Sequence, residues 1–243
     1  MKNWRIIYRL PGFAWLVMSH VARAAWARYV YPRTLEAAYG VFQRWAIKSS
    51  KLLNIQIEQS GTVPHEGALL MGNHRSYIDI AIFPYFRPCS VVAKKSIHSW
   101  PFIGWGGDLV NCLWVDRRSP ESRRKTRQEM RERLKAGKSM VIFPEGTTTK
   151  APELLPLRPG MFFTAAEEGF PIVPVALEYR HADDAWIGKD LFIPHFIQCF
   201  GKEKTEVRVR FGPVMYGEEG EAFRGEVEKW MKDTLAELRD GWV

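Results

Sequence analysis

Asn73-His74-Arg75-Ser76-Tyr77-Ile78-Asp79 directly follows the apolar run Ala68-Leu69-Leu70-Met71-Gly72. A short apolar run of this kind is typical of a buried strand. His74 and Asp79 lie five positions apart, and an unbroken helix would turn their side chains to different faces. We therefore expect the chain to turn between them, from a strand end into a helix start, where α/β proteins commonly place catalytic groups.

His74 and Asp79 form a candidate catalytic pair. A histidine takes a proton from an attacking hydroxyl at neutral pH, and a nearby carboxylate holds its ring in one tautomer and stabilises the imidazolium. Because this spacing also arises often by chance, the alternative is that the two residues have no joint function.

Beyond this stretch, strands alternate with helices, which predicts an α/β fold with a mixed central sheet covered by helices. The predicted strands are residues 53–59, 68–71, 90–93, 109–115, 139–143, 172–178 and 206–211. The predicted helices are residues 78–85, 121–136, 160–168 and 219–238. The connection from residue 180 to 201 shows no clear period.

The 243 residues carry a net charge of +8 and are 46% hydrophobic, so a packed core is expected and global disorder is excluded. The positive charge suits nucleic acid, an anionic membrane or an acidic substrate. We predict no nucleic-acid partner, because no stacking aromatic residues interleave with the basic helix at residues 121–136. That helix is either a solvated face or a membrane-facing surface, and its basic residues are Arg123, Arg124, Lys125, Arg127, Arg131, Arg133 and Lys135.

The sequence predicts two parts. Residues 1–52 form a membrane-associating helical segment, and residues 53–243 form the main domain. Basic residues, Arg9 among them, precede an uncharged run at residues 10–22, and a break at residues 31–34 leads into a second helix. This outline of basic residues followed by an apolar run also fits a signal peptide. The run is too short to span a bilayer as a helix. We predict a helical hairpin lying in the membrane interface. The alternatives are a cleaved or spanning segment and a hairpin simply packed on the domain.

A metal centre is not expected from the cysteines and histidines. The three cysteines form no CxxC pair, and the six histidines show neither HExxH nor a cluster with cysteine. We therefore predict no metal, and buried thiols in a reducing compartment.

Two further segments carry chemistry at strand ends. Phe143-Pro144-Glu145-Gly146-Thr147 follows a predicted strand, at the position where α/β proteins bind ligands. Its glycine admits a ligand close to the backbone, its threonine offers a hydroxyl, and its glutamate accepts hydrogen bonds. Arg117 also follows a strand, and a guanidinium suits bidentate binding of phosphate or carboxylate. Alone, each segment also fits an ordinary turn or a surface ion pair.

Together, these segments resemble four ordered motifs of the glycerolipid acyltransferase family typified by 1-acylglycerol-3-phosphate acyltransferase. Residues 73–79 match the first motif, NHxSxxD, and residues 112–117 match the second, an apolar strand ending in arginine. Residues 143–147 match the third, FPEGT, and residues 171–175 match the fourth. The resemblance covers roughly residues 53–211, and four motifs in order are far more specific than any one of them.

The resemblance implies an enzyme that moves a fatty acyl chain from acyl carrier protein or coenzyme A to a lysophospholipid hydroxyl. His74 would be the general base and Asp79 would orient it, and the acceptor hydroxyl would attack the thioester without an enzyme nucleophile. Backbone N–H groups of the His74 turn or around Gly146 would stabilise the oxyanion. The acyl thioester is a co-substrate, and no cofactor is expected. The residues that would hold the acceptor's head are Arg117, Glu145, Gly146 and Thr147.

The third motif departs from the family pattern at Thr148. The family usually has an arginine there, which helps to bind phosphate, and Lys150 or Arg118 would have to compensate. A threonine-rich version is similar to that of lyso-ornithine-lipid and lysophosphatidylcholine acyltransferases. We therefore predict 1-acyl-sn-glycerol-3-phosphate as the acceptor and phosphatidic acid as the product, and keep another lysolipid as the alternative.

Two other classes of function stay open from the sequence. A thioesterase or lipase would use water as the acceptor, although no GxSxG motif appears. A non-catalytic membrane-binding protein would fit the positive charge but would leave the four motifs unexplained. Acyl carrier protein is acidic and the cytoplasmic leaflet is anionic, so the predicted location is the cytoplasmic face of the membrane, as a peripheral protein.

Overall fold

The computed structural model describes residues 4–30, 35–65, 67–100, 103–188 and 190–242. Within these ranges the chain folds into a seven-stranded mixed sheet with helices on both faces, which confirms the predicted fold class. The strands are β1 Ile55–Ser60, β2 Leu69–Gly72, β3 Ser90–Lys94, β4 Leu113–Val115, β5 Met140–Ile142, β6 Ile172–Tyr179 and β7 Thr205–Phe211. The helices are α1 Ile6–Val30, α2 Leu35–Leu53, α3 Asp79–Phe86, α4 Ile103–Leu109, α5 Pro120–Lys135, α6 Gly160–Glu168, α7 Phe192–Gly201 and α8 Gly220–Arg239.

The sheet has the strand order β1-β7-β6-β2-β5-β3-β4. The five strands from β6 to β4 run parallel, whereas β7 is antiparallel to β6 and β1 is parallel to β7. The carboxyl ends of the five parallel strands therefore meet at one edge of the sheet. Because β2 lies between β6 and β5, the segments that follow these three strands are neighbours in space.

The central strand β2 is buried on both faces. Leu69 and Met71 join the core on the side of α5, α6 and α8, while Leu70 joins the core on the side of α3 and α7. This two-sided burial explains why β2 reads as a continuous apolar run instead of an alternating one.

The N-terminal hairpin packs on the rest of the molecule through α2, which lies against α3, and through one face of α1, which lies against α4 and α7. Arg9, which the sequence analysis groups with the basic residues of a membrane-interface helix, is buried instead. Its guanidinium donates to the carbonyl oxygens of Phe200 and Lys202 (2.9 and 2.6 Å) and of Glu203 (2.9 Å). The physical reason is that the carbonyl groups at the C-terminal end of α7 and just after it have no partner within that helix. The predicted break at residues 31–34 lies outside the described residues.

The opposite face of α1 is an exposed apolar stripe. Its members recur at helical spacing and include Trp15 and Trp26, which are 66% and 68% exposed. The others are Tyr8, Met18 and, in the turn just before the helix, Trp4. Exposed large apolar side chains that share one face of a helix make it a candidate interaction surface. Among the described residues, no helix has the length and apolar character needed to cross a membrane.

Three elements differ from the sequence-based prediction: helices α4 and α7, which it lacked, and the strand at residues 109–115. The predicted strand at residues 109–115 is divided, because α4 ends at Leu109 and only Leu113–Val115 is extended. Asn111 takes a left-handed conformation (φ 54°) and Cys112 N–H closes the helix end on Gly107 O at 2.8 Å. Helix α7 was not expected, because exposed apolar side chains such as Ile193 obscure the period of its buried face.

Candidate active site

The turn between β2 and α3 brings His74 and Asp79 together. His74 Nδ1 lies 2.8 Å from Asp79 Oδ2, and Asp79 is the first residue of α3. The structure thus confirms the expected turn between the two residues. Asp79 is fully buried, while the His74 side chain keeps 13% of its surface exposed. His74 is therefore the member of the pair that can meet a substrate.

The Asp79 carboxylate is surrounded by donors. Oδ2 also accepts hydrogen bonds from the backbone N–H of Arg75 (2.7 Å) and Ser76 (2.9 Å), and Oδ1 accepts one from the Tyr179 hydroxyl (2.7 Å). Burial, reinforced by the charge of Asp79, raises the pKa of Tyr179 well above its usual range, so the phenol remains a donor. Because a carboxylate only accepts, the contact selects the tautomer of the neutral His74 ring in which Nδ1 carries the proton and Nε2 has a free lone pair.

Packing fixes the plane of the His74 ring. The ring stacks on Phe143, with centroids 4.0 Å apart and an angle of 16° between the planes, and Phe83 meets Phe143 edge-on. No hydrogen bond from any other described residue reaches His74 Nε2. The ring is thus held in one orientation with its unprotonated nitrogen available.

Asn73 and Arg75 anchor the segment that carries His74. The Asn73 amide exchanges hydrogen bonds with both backbone groups of Leu177 (2.9 and 2.8 Å), which extends the β2–β6 pairing past the end of β2. The buried Arg75 guanidinium pairs with Glu178 at 3.0 Å and donates to Thr149 Oγ1 at 2.9 Å. The first motif is therefore tied to β6 and to the segment after β5.

Glu145 links the third motif to the first from a buried position. Its Oε1 accepts from the His74 N–H at 2.7 Å, and its Oε2 accepts from the Thr149 hydroxyl and the Leu155 N–H, both at 3.0 Å. Burial raises the pKa of Glu145 above its ordinary value, and the N–H donors partly offset this shift. Both carboxylate oxygens are thus engaged by protein donors.

Arg117, Gly146 and Thr147 come together above Glu145. Arg117, which follows β4, donates from Nη1 to the carbonyl oxygen of Gly146. Gly146 has φ +75°, a conformation that favours glycine, and Thr147 beside it is exposed. Burial, and next the charge of Arg158, lower the pKa of Arg117. These three residues, unlike Glu145, are placed where a ligand can reach them.

The expected oxyanion donors are engaged within the protein. The N–H of His74 donates to Glu145, that of Arg75 donates to Asp79, and that of Gly146 donates to Phe143 O at 3.0 Å. These N–H groups hold the motifs in place. Within the described ranges, no group of three or more His, Cys, Asp and Glu side chains is arranged to hold a metal ion.

Tyr179 and Arg158 belong to the site and were missed in the sequence. Tyr179 ends β6, the parallel neighbour of β2, so its position at a strand end was an available signal. Arg158 follows β5 by sixteen positions in a segment without a motif, and it lies over Gly146: a Cβ on Gly146 would be 2.4 Å from Arg158 Nε. Lys150, which could compensate for the family arginine, pairs instead with Asp183 at 2.7 Å.

Comparison with known proteins identifies the family of this chain. The acyltransferase family model matches residues 54–178. Lyso-ornithine lipid O-acyltransferase from Pseudomonas aeruginosa is 29% identical over 219 residues, which cover 86% of this chain and 84% of that protein. A 1-acyl-sn-glycerol-3-phosphate acyltransferase from Neisseria gonorrhoeae is 31% identical over 77% of this chain and 78% of that protein.

The fold has a counterpart among solved structures. The crystal structure of the 1-acyl-sn-glycerophosphate (LPA) acyltransferase from Thermotoga maritima matches over 100% of both chains, with a TM-score of 0.73 and 18% identity. At that identity the likeness concerns the fold. Since the family model spans just over half of the sequence and a relative is 31% identical over most of both chains, the chain belongs to the glycerolipid acyltransferase family and is an acyltransferase, as its four motifs predict.

Proposed function

We propose that the enzyme transfers a fatty acyl chain from a thioester donor to the hydroxyl of a lysolipid. The first candidate acceptor is 1-acyl-sn-glycerol-3-phosphate, which would give phosphatidic acid, and the second is a lyso-ornithine lipid. Relatives with both names support these two candidates. The observation that carries the proposal is the 2.8 Å contact between His74 Nδ1 and Asp79, which leaves Nε2 as an unpartnered base among the described residues.

In the proposed mechanism, His74 Nε2 removes the proton from the acceptor hydroxyl as its oxygen attacks the thioester carbonyl. The new ester C–O bond forms, the C–S bond breaks, and the proton passes from His74 to the departing thiolate. Asp79 stabilises the imidazolium that exists between these two proton transfers. Positioning of both substrates supplies the rest of the rate enhancement.

We assign the acceptor's head to Arg117, Gly146 and Thr147, which lie together at the edge of the site. Glu145 belongs to the same constellation, but its buried oxygens support a positioning role. It holds the backbone of His74 and the segment after Thr149 in register. In this proposal Gly146 and Thr147 of the third motif bind the acceptor's head. Glu145 of the same motif does not bind it and instead positions His74.

We further propose that the enzyme works at the cytoplasmic face of a membrane as a peripheral protein. A lysolipid acceptor lies in the bilayer, and the exposed apolar stripe of α1 offers tryptophan and tyrosine side chains suited to the interface. Both Trp15 and Trp26 point away from the face that α1 packs on the domain. The stripe is thus available to lipid while Arg9 holds the helix in place.

The acyl donor carrier, acyl carrier protein or coenzyme A, is proposed to meet the N-terminal half of α5. In the C-terminal half, Glu168 of α6 pairs with Arg131 and Lys135. Arg124 and Arg127 have no carboxylate partner among the described residues, and they line a groove of about 420 Å³ between α5 and α6. Both carriers are anionic, so this groove suits either.

The proposal is tested by incubating the purified enzyme with labelled acyl donors and a panel of lysolipids, and reading the products by mass spectrometry. The panel holds lysophosphatidate, lyso-ornithine lipid and lysophosphatidylcholine, each with acyl carrier protein and coenzyme A thioesters. The expected result is a product heavier by one acyl chain from one of the first two acceptors. Release of free fatty acid at the same rate with and without lysolipid would indicate hydrolysis and overturn the proposal.

A further inference from the structure

Two guanidinium groups flank Gly146 at the edge of the active site. Arg117 reaches it from the end of β4 and donates to its carbonyl oxygen. Arg158 approaches from the segment before α6, where its own N–H donates to Pro144 O at 2.9 Å and its Nε lies 3.5 Å from Glu145 O. The two side chains thus converge on one turn from different parts of the chain.

Neither guanidinium has a carboxylate within ion-pair distance among the described residues. The contrast with nearby cations is clear, because Arg75 pairs with Glu178 and Lys150 pairs with Asp183. Arg117 is half-buried, and both burial and the charge of Arg158 lower its pKa. Two unpaired like charges held together in this way are stabilised by an anion that binds both.

The position of the two arginines connects an anion to the base. Gly146 follows Glu145 directly, and Glu145 accepts the backbone N–H of His74. An acidic group held at Gly146 would therefore sit on the same rigid turn that fixes His74. Guanidinium forks bind phosphate and carboxylate oxygens in pairs, so both groups fit.

We propose that Arg158 completes, with Arg117, a two-guanidinium clamp for the acidic group of the acceptor's head, a phosphate or a carboxylate. This inference rests on the proposed lysolipid acyltransferase function. Arg158 supplies the positive charge that Thr148 does not provide in the third motif. Lys150 is committed to Asp183, and Arg118 is exposed, with Asp116 receiving its backbone N–H.

The test compares Arg158→Ala and Arg158→Lys with Arg118→Ala, a neighbouring exposed arginine outside the clamp. Acceptors are lysophosphatidate, lyso-ornithine lipid and monoacylglycerol, which carry a phosphate, a carboxylate and no acidic group. Arg158→Ala should raise KM for the acidic acceptor by at least about tenfold with little change in kcat. Arg158→Lys should recover part of the loss, and Arg118→Ala should match the wild type.

A KM for both acidic acceptors that Arg158→Ala leaves unchanged would overturn the clamp, as would an equal loss with monoacylglycerol. The acidic acceptor whose KM rises identifies the group that the clamp binds. Arg158 is exposed, so its variants should fold, and thermal unfolding checks this.

Equilibrium binding separates this inference from the proposed function. It is measured with lysophosphatidate and lyso-ornithine lipid on His74→Ala, with and without Arg158→Ala. If the wild type transfers no acyl chain but binding depends on Arg158, the clamp stands and the proposed function fails. If the wild type transfers an acyl chain but binding does not depend on Arg158, the proposed function stands and the clamp fails.

Discussion

Asp79 accepts hydrogen bonds from His74, from two backbone N–H groups and from the Tyr179 hydroxyl. The same carboxylate therefore closes the turn after β2 and selects the tautomer of the base. Glu145 has a parallel function on the other side, since it binds the His74 N–H and closes the segment after β5. Two buried carboxylates thus fix His74 from its ring and from its backbone.

The raised pKa of Glu145 predicts a pH dependence of stability. The folded state binds this proton more tightly than the unfolded chain does, because the pKa of Glu145 is raised by folding. The free energy of unfolding therefore decreases as the pH rises from the ordinary pKa of a glutamate, about 4.3, through the raised value. Glu145→Gln removes this titration. The wild-type free energy of unfolding minus that of Glu145→Gln should fall as the pH rises above the ordinary pKa of a glutamate, as measured by urea unfolding. A difference that grows with pH would contradict the shift.

At the residue scale, sequence patterns located the groups that lie within motifs. His74, Asp79, Arg117 and Gly146 occupy strand ends and turns, where residue type and position predict a site. Arg158 could not be found in this way, because its place over Gly146 depends on how the segment before α6 folds back across the turn. The sequence identified Glu145 as a site residue but not as a buried one. Its carboxylate is buried with hydrogen bonds from Thr149 and Leu155, and no local sequence pattern reveals these donors.

At the scale of elements, Arg9 joins α1 to α7. Arg9→Ala would remove the donor to the carbonyl oxygens of Phe200, near the end of α7, and of Lys202, just after it, so the free energy of unfolding should fall by about 2–3 kcal/mol. Chemical denaturation of the purified protein measures this. Arg23→Ala, on an exposed position of the same helix, is the control and should stay within about 0.5 kcal/mol of the wild type. Equal effects of the two changes would rule out the proposed link.

The exposed stripe of α1 predicts membrane binding that depends on its tryptophans. Trp15→Ser with Trp26→Ser should weaken sedimentation with anionic liposomes several-fold while leaving stability unchanged, because both side chains are mostly exposed. Val214→Ser with Tyr216→Ser, also exposed but outside α1, is the matched control. These substitutions are a cleaner test than deletion of residues 1–30, which would also remove Arg9. Unchanged liposome binding by the tryptophan variant would place the membrane contact elsewhere.

At the scale of the whole molecule, the parallel strands gather segments from distant parts of the sequence at one edge of the sheet. Alternation of strands and helices predicted the class, and the apolar runs located most strands. The order β1-β7-β6-β2-β5-β3-β4 could not be predicted, because strand pairing depends on contacts between residues far apart in sequence. The same reason kept Tyr179 from being recognised as a partner of Asp79, a hundred residues earlier.

The groove between α5 and α6 predicts how the acyl donor is recognised. Arg124→Glu with Arg127→Glu should raise KM for acyl carrier protein thioester by about tenfold or more, because an acidic carrier then meets repulsion. The salt dependence of that KM should also become weaker. Lys229→Glu on α8, an exposed charge reversal outside the groove, should change neither quantity. A KM that stays constant in the double variant would exclude this groove as the donor surface.

The most direct measurement is the kcat of purified His74→Ala with the acceptor that the lysolipid panel identifies, at saturating acyl donor. If Nε2 of His74 is the general base, kcat should fall by roughly 10²–10⁴ while the thermal unfolding profile stays the same as that of the wild type. A folded His74→Ala enzyme whose kcat lies within about threefold of the wild type would contradict the assignment of His74 as the base.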